Sequence, residues 1–212
     1  MARVVKERSY GGKPADERRA ERRAALLRAG RELWCESGWA AVTMRGVCAR
    51  AGVTDRYFYE SFTDRDALLV AVGQGVRDEI IASILESVAP HLEASLRVQL
   101  RAALEASVAQ ISENPEFTQI FFGEHGGSDI LEAMRRDTVR AVVDLFLLYA
   151  EPRLAPDASV ADLRVALLVG IGGFVEAATA WRSGGVPMTE EELVETLMRL
   201  SERLAAGFVD LS

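Results

Sequence analysis

Gly52 is the residue that most limits what this chain can fold into. It stands in Ala51-Gly52-Val53, between two stretches that each open on a hydroxyl residue, Thr43 and Thr54, suited to cap a helix. Both stretches are too short to persist as isolated helices in water, so each must pack on something. Glycine reaches the left-handed backbone without strain and stops the first helix. A turn this tight sends the second helix off at a steep angle. Val47, Cys48, Ala51, Val53, Phe58 and Phe62 form the inward set, which leaves the Thr54–Ser61 segment facing outward, the arrangement of a helix-turn-helix. Thr63-Asp64-Arg65-Asp66 then reads as a capping box that opens a long helix near Arg65.

Helical spacing continues on both sides of this motif. Pro14 and the acidic Asp16 and Glu17 start a helix whose apolar stripe is Leu26, Leu27, Gly30, Leu33 and Trp34, with Arg18, Arg19, Arg22, Arg23 and Arg28 elsewhere on it. Residues 1–13 lack an apolar period and read as a mobile basic arm, a non-contacting tail in preference to one that lays Arg3 or Arg8 in a minor groove. Downstream, the pattern predicts helices over 65–87, 95–112, 116–122, 129–149, 160–183 and 190–208, broken at Pro90, Pro115, Gly123–Gly127 and Gly184–Pro187. No alternating β-branched run announces a strand. These helices are too apolar to stand alone, so they pack on one another and on a second chain.

Charge divides the chain. Residues 1–70 hold 14 Lys/Arg against 10 Asp/Glu, and residues 71–212 hold 11 against 22. A basic head on an acidic body lets one end approach phosphate while the other repels it. The apolar run Val165–Val175 is shorter than the roughly 20 residues of a membrane span, and the charged N-terminus is unlike a signal peptide, so the expectation is a cytoplasmic protein with no membrane partner. Cys35 and Cys48 have no metal-ligand spacing and read as buried thiols. His91 reads as structural. No nucleophile elbow, phosphate-binding glycine loop or HExxH motif is present, which argues against an enzyme and against a catalytic, metal or cofactor site.

Residues 43–69, TMRGVCARAGVTDRYFYESFTDRDALL, with LLRAGRELWCESGW at 26–39, resemble the TetR family of bacterial transcription regulators. The apolar skeleton, the Ala-Gly-Val turn, Tyr59, Phe62 and the opening of the next helix carry the likeness. The sequence departs from the family pattern at Arg56, Tyr57 and Ser61, where a small residue, Thr and His are common, and at Arg65, where lysine is usual. The resemblance implies an all-α fold: an N-terminal three-helix helix-turn-helix domain (14–64) joined by a long helix to a C-terminal ligand-binding and dimerisation domain (65–212). It also implies a homodimer that represses transcription at an inverted-repeat operator in double-stranded DNA and is released by a small apolar or amphipathic effector. An effector-independent DNA-binding or architectural protein, and an activator, remain open alternatives.

The outward residues of the motif are the DNA-binding candidates. Thr43 and Thr54, at helix N-termini, are expected at phosphates, as are Tyr59 and Arg65 by resemblance. Arg56 and Tyr57 are expected to read bases, with Arg45, Asp55 and Ser61 near the same face. The expected effector-site lining is Phe117, Phe121, Phe122, His125, Met134, Tyr149, Phe174, Glu176 and Trp181, aromatic walls with few polar groups. The glycines of the penultimate helix, Gly170 and Gly173 among them, together with Leu193, Leu197, Leu200 and Leu204 of the last helix, are expected to form a four-helix dimer interface.

Overall fold

Pro14 fixes an extended entry into the first helix, α1 (Ala15–Ser37), and Asp16 and Glu17 meet its positive end. Gly38, at φ 79°, ends it. A computed structural model describes residues 14–123 and 127–211, so the expected basic arm and His125 lie outside the described residues. The later helices are α2 (Met44–Ala51), α3 (Asp55–Tyr59), α4 (Arg65–Val88), α5 (Leu96–Glu113), α6 (Pro115–Phe121), α7 (Asp129–Ala150), α8 (Val160–Arg182) and α9 (Glu190–Ala205). Among the described residues the only β pairing is an isolated antiparallel bridge between Leu154 and Val209. The expected helices are therefore present, with ends that move by one to three residues.

Side-chain caps fix most of the starts. Thr43, Asn114, Ser128 and Ser159 each accept from the third residue onward, a contribution of about 1 kcal/mol apiece. The expected capping box at 63–66 is corrected: Asp64 caps α4 by accepting from the Ala67 N–H at 2.8 Å, and Thr63 donates to Asp64. The reciprocal box is at Thr189 and Glu192, where α9 begins.

One apolar core runs through the N-terminal helices into the body. Leu26, Trp34, Val47, Phe58 and Leu68 belong to the same cluster as Ile111, Phe117, Ile120, Leu131 and Val175. Cys48 is buried as expected and Cys35 only half-buried, and burial raises both thiols, that of Cys35 to about 11.

Three expectations about the body change. Leu193 and Leu197 turn inward with Val194 and Met198 against Val108, Leu100 and Leu104 of α5, so these leucines build the monomer core and not a dimer interface. Gly170 faces Leu204 of its own α9, whose Cδ1 would lie 3.6 Å from an added Cβ, while Leu204 stays 37% exposed. Met134 is buried against α4, where Gly73 leaves room for its thioether.

That last contact generates a prediction. A Cβ on Gly73 would sit 1.8 Å from the Met134 sulfur. Gly73→Ala should cost about 1–3 kcal/mol by overpacking. Because Met134→Ala removes the clash, the double variant should be more stable than the sum of the single losses, as read from thermal melts of all four proteins.

Candidate nucleic-acid interface and interior cavity

Helix α3 has five residues, and Phe58 is the buried one. Its ring meets Tyr59 edge-on and Phe62 at a tilt, both at 5.7 Å. Gly52 adopts the left-handed conformation (φ 67°, ψ 31°), and the Val53 N–H donates to the Cys48 carbonyl at 3.0 Å, which sets the angle at which α3 departs. With Phe58 inside, Thr54, Asp55, Arg56, Tyr57 and Tyr59 all lie exposed, as do Thr43 and Arg45 on the neighbouring turn. Thr54 occupies the N-cap position of α3 but makes no capping hydrogen bond, so its hydroxyl is not used up there.

Helix α1 braces this surface from behind. The Arg22 guanidinium lies 4.3 Å from the centre of the Tyr57 ring and 3.6 Å from the Glu60 carboxylate. Arg56, with a side chain 85% exposed, reaches the other Glu60 oxygen at 3.4 Å. An exposed pair of this kind is worth about 0–1 kcal/mol, so Glu60 holds Arg56 only weakly. Arg23 lies 4.4 Å from the centre of the Phe62 ring and donates to the Ser61 carbonyl at 2.9 Å. Ser61 is half-buried in this brace and not part of the exposed row. Arg22, Arg23 and Glu60 were not among the expected site residues. The spacing of Arg22 and Arg23 one turn ahead of Leu26 and Leu27 is the sequence signal that places them over the motif.

Arg65, expected at a phosphate, is engaged within the fold. Its Nε donates to the Val42 carbonyl, its Nη2 donates to the Trp39 carbonyl at 2.5 Å, and its guanidinium stacks 5.3 Å from the Trp39 ring centre. It ties the start of α4 to the loop before α2. Arg50 is likewise occupied by a bidentate contact to Glu36 at 2.7 and 2.8 Å, which holds that carboxylate below its ordinary pKa.

A cavity of about 230 Å³ lies within the body between α4, α5, α7, α8 and α9. Phe117, Phe121, Phe122, Tyr149 and Phe174 line it as expected. Met134, Glu176 and Trp181 do not: Met134 packs on α4, Glu176 is exposed, and the Trp181 indole donates to the Met188 carbonyl at 2.7 Å. Leu197, Leu204 and Gly170, expected at a dimer interface, contribute to the cavity wall. Phe117, Phe121 and Phe122 pack on one another with ring centres 5.0–5.9 Å apart.

Helix α6 joins the cavity to the motif. Its aromatics line the cavity and belong to the core that holds Phe58, and its Glu116 accepts from Arg31 Nε of α1 at 3.0 Å. Arg31 also makes a bidentate contact to Glu79 of α4, which raises its pKa and keeps it charged.

Residues 26–72 match the family described as bacterial regulatory proteins, tetR family. The chain is 26% identical over 192 residues to the HTH-type transcriptional activator FasR of Mycolicibacterium smegmatis, covering 89% of this chain and 86% of that protein. Its fold is similar to a TetR family transcription regulator from Marinobacter aquaeolei VT8 (TM-score 0.60, 19% identity, 92% of this chain and 99% of that one). It is similar also to the transcriptional regulator FadR from Bacillus subtilis, solved in complex with stearoyl-CoA (TM-score 0.68, 15% identity, 87% of this chain and 98% of that one).

The two arginines differ in a way that experiment separates. Arg56→Ala should leave the melting temperature nearly unchanged, a shift within about 0.5 kcal/mol, and weaken binding to a selected operator by about 1–3 kcal/mol. Arg65→Ala should destabilise the fold by about 1.5–3 kcal/mol, because two carbonyls lose a charged donor. Thermal melts and fluorescence anisotropy on labelled DNA at one fixed salt concentration distinguish the two outcomes.

Proposed function

We propose that this chain, which carries the DNA-binding segment of the TetR family at residues 26–72, is a homodimeric regulator that binds an inverted-repeat operator and releases it when a long apolar molecule enters the cavity. The observation that carries the proposal is the shared wall: the α6 aromatics bound the cavity and pack into the core that anchors the DNA-facing helix.

A two-fold dimer supplies the geometry that one protomer lacks, since two recognition helices must reach major grooves about 34 Å apart. The face that fits this role is the outer side of α8, where Val165 (60% exposed), Leu168 and Val169 (58%) continue into Gly173, with Leu200 of α9 (47%) beside them. By length and composition α8 could also cross a membrane. Leu163, Val175 and Ala178 instead pack it into the bundle, and Arg164 pairs with Asp144 of α7 at 2.6 Å. An apolar stripe left outside on a helix held this way fits a copy of itself.

The cavity suits a linear chain. Its α5 wall runs from Leu96 to Ile111, about 22 Å at the rise of an α-helix. Its lining along that length is mostly aliphatic and aromatic. The stearoyl-CoA bound by the Bacillus subtilis regulator is a molecule of this shape, and we take an acyl chain as the effector class here. In this account the chain shifts the α6 aromatics, and Glu116 carries the movement through Arg31 to α1. A ligand acts only through its different affinity for the two states. The relative named as an activator favours a second reading, in which the same DNA-bound dimer assists transcription. The position of the operator relative to the promoter separates the two.

The test uses an operator selected from random DNA. Binding should weaken steeply as salt rises, through counterion release. Stearoyl-CoA should lower operator affinity by about tenfold or more, within the range of ordinary allosteric coupling. Val169→Glu should give a monomer by light scattering and lose operator binding. Operator affinity indifferent to acyl-CoAs of every length would replace the effector reading with an effector-independent one, and salt-independent binding would overturn the DNA assignment. Glu116→Gln should bind stearoyl-CoA as the wild type does, with the operator response reduced several-fold, a coupling loss of about 0.5–2 kcal/mol.

A further inference from the structure

The chain beyond α9 turns at Gly207 (φ 86°) and folds back across the end of the bundle. Residues 206–211 are held on two opposite walls. The Ala155 N–H donates to the Phe208 carbonyl at 2.7 Å, and Leu154 and Val209 pair as an antiparallel bridge, both just beyond α7. On the other side the Arg97 N–H donates to the Leu211 carbonyl at 2.9 Å, in the first turn of α5. Ser95, the N-cap of α5, makes no side-chain capping bond, so the Leu211 carbonyl takes one of the free N–H groups that a helix start leaves over. The segment is thus built into the fold at both edges.

Val209 and Leu211 also line the cavity, beside Leu96 and Leu163. Ile111, at the opposite end of the α5 wall, sits in the core shared with the helix-turn-helix. The strap therefore lines the Leu96 end of the cavity, about 22 Å along α5 from Ile111 at the α-helical rise. These four side chains are aliphatic. They suit the methyl end of a hydrocarbon chain and not a charged head group.

We propose that Val209 and Leu211 are the residues that set effector chain length: the 206–211 strap is the wall against which the tip of the chain stops. The inference rests on the linear-effector reading above. Each methylene buried changes affinity by about fourfold, so a stop moved by two carbons resets the preferred length measurably.

The experiment measures affinities of the full-length dimer for saturated straight-chain acyl-CoAs of increasing length, by titration calorimetry. Leu211→Ala keeps the backbone bond to Arg97 and should move the optimum to a chain longer by about two carbons, with affinity for that thioester raised about fifteenfold. Val209→Phe should move the optimum to shorter chains. Melts of the unliganded variants establish that each is folded, and a shift in either folded variant suffices. If the variants bind acyl-CoAs with the wild-type optimum, the strap is not the ruler, and the linear-effector reading stands. If the wild type binds no thioester of any length, both readings fall.

Discussion

Burial of the Phe58 ring is the constraint on which the exposed surface of α3 depends. A helix of five residues has no stability of its own, so its position is that of its one inserted side chain and of the Gly52 turn before it. Everything else on α3 is then outside by geometry. The arginines of α1 complete the arrangement: Arg22 covers the Tyr57 ring and pairs with Glu60, and Arg23 holds the Ser61 carbonyl. A polar surface is in this way held rigid by a hydrophobic anchor beneath and cationic braces behind, which lowers the ordering cost of binding.

The same core explains how an event in the body reaches that surface. Close-packed interiors transmit displacement, and Phe117 and Phe121 of α6 belong to the cluster that holds Phe58. Arg31 adds a charged link from α1 to both α4 and α6. In the proposed function, filling the cavity and holding DNA are two demands on one set of packed side chains. Val209 and Leu211 of the 206–211 segment line the same cavity, and the proposed chain-length stop rests on them.

Much of this was legible in the sequence because helical periodicity reports which residues share a face. The motif, the order of helices and the outward row from Thr54 to Tyr59 all follow from spacing and turn residues. Periodicity does not report what a face meets. Leu193 and Leu197 mark the apolar side of α9 correctly, yet that side packs on α5 and not on a second chain. The face of α8 that stays exposed carries Val165 and Val169. The carbonyl partners of Arg65 come from a loop more than twenty residues earlier, a relation no local pattern contains. Among the aromatics, Phe117, Phe121, Phe122, Tyr149 and Phe174 face the cavity, whereas Trp181 closes a loop, because a large apolar residue serves either purpose.

Coupling between cavity and motif is the claim on which the account turns, and thermodynamic linkage makes it measurable without any reporter gene. The affinity of stearoyl-CoA for the protein, determined by calorimetry with and without saturating operator DNA, should weaken in the presence of DNA by the same factor by which the thioester weakens DNA binding. Identical acyl-CoA affinities in the two titrations would contradict it.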